Sequence, residues 1–234
     1  YTKTTNSIKV TANAQDADSG IDKITYVIKN GSTVIATNTT GKFTGLQNNF
    51  EYTVVTTVTD RAGNSASKTE IVKTNQLTVG TITFKESTTN TTFTPSADVW
   101  VNDDVKTTLV PGSAGTTTYE VTSPDGTKQT YTSSATLTTV NGTYTVTVKT
   151  TDGTNTKTRT YTFNVDKTEP TITFGTNGGT YTIPVGSTTI QISSKITGED
   201  EGGSGISSVQ YAWSTSNTTA PTQWTTIENG GSAT

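Results

Sequence analysis

The chain repeats itself. The tetrapeptide TITF stands at 81–84 and again at 171–174, an offset of 90 residues, about the length of one small β-sandwich domain. Two longer matches accompany it. FEYTVVTTVTDRAGN (50–64) parallels GTYTVTVKTTDGTN (142–155), and DSGIDKITYVI (18–28) parallels GSGISSVQYAW (203–213). In every match the aligned positions alternate. Tyr52, Val54, Thr56 and Val58 stand beside Tyr144, Val146 and Val148; Ile24, Tyr26 and Ile28 stand beside Val209, Tyr211 and Trp213. Upstream, Ile8, Val10 and Ala12 answer to Ile190, Ile192 and Ser194. A period of two is one face of a β-strand. Trp213, aligned with Ile28, is expected on a core face.

No helical periodicity competes. Short strands separated by Gly, Asn, Asp and Pro point to an all-β chain of tandem immunoglobulin-like or fibronectin type III-like β-sandwiches. The parse is three units, 1–76, 77–166 and 167–234. The outer two are expected to be incomplete: the first starts near its second strand, and the third runs out before a counterpart of the Tyr52 and Tyr144 strands. Composition agrees. Thr supplies 62 of 234 residues, and hydrophobic residues only 29%. Thr is β-branched and tolerates water on its outer face, so thin cores and hydroxyl-coated surfaces follow. Leu46, Val54, Val146, Ile190 and Ile192 are expected in the cores, with Tyr52 and Tyr144 anchoring corners.

Several function classes drop out. The net charge is −3 and no run of Lys or Arg offers a phosphate-binding face, which argues against nucleic acid. No apolar stretch approaches the roughly 20 residues of a membrane span. Cys, His and Met are absent. That removes disulfides, thiolate metal sites and the usual general base. A Cys-free, Thr-rich chain suits an exposed, oxidising, extracellular setting.

ADVWVNDDVKTTL (97–109), VNGTYTVTV (140–148) and VDKTEPTITF (165–174) resemble bacterial immunoglobulin-like repeats of Gram-positive surface proteins. TVTDRAGNSA is similar to their Asp-x-Ala-Gly-Asn turn, and LQNNFEY resembles the tyrosine corner of fibronectin type III domains. The resemblance implies secreted or wall-anchored multidomain proteins in which such repeats act as stalks. It leaves two alternatives: a module that itself binds a glycan or a host protein, and accessory domains of a secreted carbohydrate-active enzyme.

Candidate sites are few. Asp103–Asp104 and Glu199–Asp200–Glu201 are acidic runs, but a glycosidase needs two carboxylates facing across a cleft, and no Ser or Thr has a His to activate it. No enzyme site is expected. Calcium is the one cofactor to consider. Asp16 and Asp18 alternate before a Gly, Asp60 sits in the repeated turn, and Asp166 and Glu169 lie in the DKTEP link, all hard oxygen ligands. Asp and Gly are equally turn residues. Pro170 presets a bend, so 166–170 should set an interdomain angle; the link at 73–81 lacks Pro and is either looser or nearly continuous. Trp224, with Tyr211, is the candidate for stacking on a sugar ring. The expected partners are neighbouring domains of the same chain.

Overall fold

Alternation decides which way each side chain points. In the strand Gly142–Thr151, Tyr144, Val146 and Val148 are buried, while Thr143 and Lys149 face solvent and Thr145 and Thr147 lie between. Burying each Val contributes about 1.5–3 kcal/mol, and the Thr residues keep the other face wet. Every described element of the computed structural model is a β-strand; it describes residues 1–175, 185–186, 192–215 and 218–234.

The first sandwich has strands β1 (Thr2–Lys3), β2 (Ser7–Lys9), β3 (Ile21–Asn30), β4 (Thr33–Asn38), β5 (Lys42–Thr44), β6 (Glu51–Asp60) and β7 (Ser65–Lys73). Its two sheets run β1-β2-β5 and β4-β3-β6-β7. Ile8, Phe43, Leu46, Ile28, Tyr52 and Val54 fill the space between them. The second has β8 (Thr81–Glu86), β9 (Thr92–Phe93), β10 (Trp100–Val101), β11 (Val105–Val110), β12 (Thr116–Thr122), β13 (Lys128–Tyr131), β14 (Ala135–Leu137), β15 (Gly142–Thr151) and β16 (Thr156–Val165). Its sheets run β14-β11-β8-β9 and β10-β16-β15-β12-β13. The third group has β17 (Thr171–Phe174), β18 (Ser194–Glu199), β19 (Val209–Tyr211), β20 (Thr225–Ile227) and β21 (Ser232–Ala233), ordered β17-β18-β21 and β19-β20. Among the described residues its buried core is Ile196, Val209 and Ala233. The architecture is all-β, tandem sandwiches of the immunoglobulin and fibronectin type III kind.

Among the described residues all strand pairs are antiparallel but one. β10 lies parallel to β16, Trp100 opposite Asn164 and Val101 opposite Val165. Asn164 N donates to Val99 O and Asp166 N to Val101 O, both at 2.9 Å, and the Asn164 amide reaches Ala97 O at 2.5 Å. The buried hydroxyls are also paired. Thr107 Oγ1 and Tyr119 OH lie 2.7 Å apart, and Thr117 and Thr150 share a bond of 2.9 Å. A thin core tolerates these groups because each has a partner.

Leu46, Val54 and Val146 are core residues, Ile192 is half-buried, and Ile190 falls outside the described residues. Both tyrosine corners form: Tyr52 OH accepts from Gln47 N and Tyr144 OH from Val140 N, each at 2.9 Å. Trp213 departs from expectation. It is 54% exposed, against 0% for Ile28. Ile28 lies opposite Val54 of β6, and the third group has no counterpart of β6 among the described residues.

Candidate functional sites at the junctions

The repeated turn is the first place to look. In the first sandwich Asn64 N and Nδ2 donate to the two carboxylate oxygens of Asp60, both at 2.8 Å. Gly63 takes φ +93°, where a side chain would strain. The Asp60 carboxyl is held below its usual range, chiefly by the Asn64 side chain. This is a hairpin cap, exposed to solvent.

In the second sandwich the same turn has a neighbour. Asn155 N donates to Asp152 Oδ1 at 2.7 Å, so the cap is conserved in form. The Asn155 amide also donates to Leu46 O (3.1 Å), its oxygen accepts from Asn48 N (3.1 Å), and the Asn6 amide donates to Asp152 O (2.9 Å). Burial pushes the Asp152 carboxyl up, but the Thr5 hydroxyl and the Asn155 and Thr154 N–H groups outweigh it and hold it low. The turn is thus seated on loops of the first sandwich. The link beside it is continuous rather than loose. Leu77 is buried, its N–H donates to Asn48 Oδ1 (3.3 Å), Thr78 and Ser113 exchange bonds of 3.0 and 2.8 Å, and Gly80 N reaches Thr150 Oγ1 at 3.0 Å.

The second junction is built on Asp166, only 7% exposed. Its Oδ1 accepts from Thr168 N (3.1 Å), and its Oδ2 from Ser204 N (2.7 Å) of the loop between β18 and β19. Lys167 turns back onto the second sandwich, Nζ donating to Asp104 Oδ1 (2.5 Å) and Thr139 O (2.8 Å). Asp200 Oδ2 accepts from Gly205 N, as Asp16 Oδ2 accepts from Gly20 N, both at 2.6 Å. Asp200 Oδ1 is buried and has no hydrogen-bond partner among the described residues. A Cβ at Gly203 would collide with this oxygen and with Asp166 Oδ2, so the two carboxylates flank one glycine.

Asp104 is held below its ordinary range by the Lys167 ammonium, and Asp166 by the Ser204 N–H and then that of Thr168. A carboxyl lowered in the folded state contributes stability above its unfolded value, near 3.9, and loses it as pH falls through the lower folded value. Both junctions are therefore expected to hold unchanged from neutrality to about pH 5 and to loosen below about pH 4. An acid titration of the Ser204 and Asn155 amide resonances reads this directly; loosening nearer pH 6 would contradict it.

The candidate calcium ligands do not gather. Asp16 Oδ2 accepts from Ser19 and Gly20, the two Asp60 oxygens accept from Asn64, and Asp18 and Glu169 are exposed. Among the described residues no three acidic side chains form a metal-holding group; Asp166 meets Asp200 rather than Glu169. Trp224 is 56% exposed. Tyr211 packs on the Ile196–Val209 cluster, and its ring meets Trp213 at 6.4 Å; among the described residues no ring contact joins it to Trp224. Sequence reasoning left out Asn6 and Asn48, and took Lys167 only as part of the 166–170 link. Only the repeat of the Asp–Asn turn signalled that this turn has a role.

No family model matches the chain, and no curated protein does. Among solved structures, fibronectin(III)-like modules of Clostridium thermocellum CbhA are 18% identical with a TM-score of 0.23, covering 70% of this chain and 87% of theirs. A tetra-tandem repeat from the extending region of a large adhesion protein is 18% identical with a TM-score of 0.30, covering 90% and 56%. A Bacteroides ovatus glucan-utilisation protein, SGBP-B, in complex with a mixed-linkage heptasaccharide is 14% identical with a TM-score of 0.22, covering 78% and 68%. No functional conclusion follows from overlaps of this size. No helix of the described residues is long and apolar enough to cross a membrane.

Proposed function

We propose that these residues are a spacer: Ig-like units at 1–76, 77–166 and 167–234 joined end to end, extracellular, on a bacterial surface or secreted, with no chemistry of their own. One observation carries the reading. The 152–155 turn is bonded to the loops at Asn6, Leu46 and Asn48 through side-chain amides on backbone groups. A domain border lacking such contacts swivels; this one resists it. The test is residual dipolar coupling. The first and second sandwiches should share one alignment tensor. Asn155→Ala removes both bonds its side chain makes to the first sandwich, a loss of about 1–3 kcal/mol, and should separate the tensors. Two tensors in the unaltered chain would refute the spacer.

A second reading of the Asp166–Asp200 junction is favoured by the unpartnered Asp200 oxygen. A calcium ion there would satisfy it and offset two facing carboxylates. Melting in calcium and in chelator decides this: a higher midpoint with calcium supports the ion, and equal midpoints remove it. The glycan alternative rests on Trp224 alone, and a glycan array without a hit would end it.

A further inference from the structure

The pair Asn-Gly occurs four times, at 30–31, 141–142, 177–178 and 229–230; 177–178 lies outside the described residues. An Asn before a glycine is open to one intramolecular reaction. The backbone nitrogen of the next residue attacks the side-chain carbonyl carbon, and a glycine has no side chain to shield it. The three described pairs are set differently. Asn30 is exposed at the β3–β4 hairpin, and its side chain makes no hydrogen bond among the described residues. Asn229 is clamped by a single residue: Gly198 N donates to its Oδ1, and its Nδ2 donates to Gly198 O, both at 2.8 Å.

Asn141 is placed for the reaction. It is exposed to water and stands just before β15. Lys167 N donates to its Oδ1 at 2.8 Å. That bond draws electrons from Cγ and stabilises the negative charge that gathers on Oδ1 as the nitrogen attacks. Nδ2, the atom that must leave, donates to Thr168 Oγ1 at 2.6 Å and lies 3.4 Å from Asp166 Oδ1. A hydroxyl turns from acceptor to donor by rotation, so Thr168 can hand the leaving nitrogen a proton. The glycine is fixed as well. Gly142 takes φ +125°, and a Cβ there would meet Pro124 Cβ at 2.6 Å, so glycine is the residue that fits after Asn141.

We propose that Asn141 is a self-modification site, which deamidates through a succinimide and frees the second junction as it does so. Gly142 N bonds to Asn141 Cγ and gives up its proton. The Cγ–Nδ2 bond breaks, and ammonia leaves with that proton, relayed through Thr168 Oγ1. Water then adds at either carbonyl of the ring and leaves Asp or isoaspartate at 141. The product cannot hold the link as the amide does. A carboxylate has no N–H for Thr168, and it repels Asp166 beside it. Isoaspartate also puts an extra carbon into the backbone at the start of β15, next to the corner where Val140 N donates to Tyr144 OH. The change is irreversible, so the junction passes one way, from braced to free.

The test holds the intact 234-residue chain in mildly alkaline buffer. It follows ammonia release, and maps Asp and isoaspartate at each Asn-Gly pair by peptide mass spectrometry. In the folded chain Asn141 should convert ahead of Asn30 and Asn229 by about tenfold or more. In urea, where the geometry is gone, that lead should vanish. Thr168 is exposed, so it can be changed without opening a core. Thr168→Val should slow conversion at Asn141 by about tenfold or more and leave Asn30 unchanged, and Thr168→Ser should restore the rate. Asn141→Asp should quicken exchange of the Ser204 amide by about tenfold. An Asn141 that converts no faster than Asn30 in the folded chain would overturn the site. So would a lead that survives urea, or a Thr168→Val chain that converts as before. Unchanged Ser204 exchange in Asn141→Asp would overturn its hold on the junction.

Discussion

Phe163→Ala is expected to cost the second sandwich about 3–5 kcal/mol. The side chain is fully buried. Its ring stacks on Tyr144 at 5.4 Å and meets Phe84 at 5.7 Å and Phe93 at 5.6 Å. Phe84 and Phe93 come from the opposite sheet, so the truncation opens a void where the two layers meet. Domains are stable by only about 5–15 kcal/mol, so the loss should lower this unit's melting by more than about 12 °C. The first sandwich shares no core residue with it. Calorimetry should therefore show one transition falling and the other nearly still. Two transitions falling together would mean that the sandwiches are not separate folding units.

Val101→Pro is expected to remove the mechanical strength of the second sandwich. Under tension, force enters at β8 and, once β8 is drawn off β11, reaches β10 at its N-terminal end and leaves β16 at its C-terminal end. Because the two strands are parallel, their bonds are sheared together instead of peeled one at a time. Proline removes a ladder N–H and resists pairing, and Val101 is itself buried. The first sandwich has a lesser version of this clamp: Asn75 reaches Thr4 O at 2.9 Å through its N–H and Lys3 O at 3.0 Å through its amide.

What the sequence revealed depends on the range of the interaction. Val146 and Val54 could be placed because alternation is local, and a core face needs only one strand to declare itself. The Asp60–Asn64 cap was legible for the same reason, a carboxylate four residues from the groups it holds. Trp213 was misplaced because its burial depends on a strand elsewhere, and alternation cannot show whether that strand is present. β10 is two residues long, too short for any periodicity, and its partner β16 is some 60 residues away. The contact of Asn6 with Asp152 spans 146 residues, and an Asn in a turn carries no mark of what it will meet. Asp166 was singled out as a residue of the DKTEP link; its neighbour across Gly203 is Asp200, from a loop that looks like any other acidic turn.

The most direct measurement is single-molecule pulling of the intact 234-residue chain. A spacer built this way should give separate unfolding events for the first and second sandwiches. The event at higher force should belong to the second, release about 90 residues, roughly 300 Å of chain, and be lost in Val101→Pro. If the chain extends smoothly without such an event, or if Val101→Pro leaves the high-force event in place, these units are not built to carry load and the spacer reading fails.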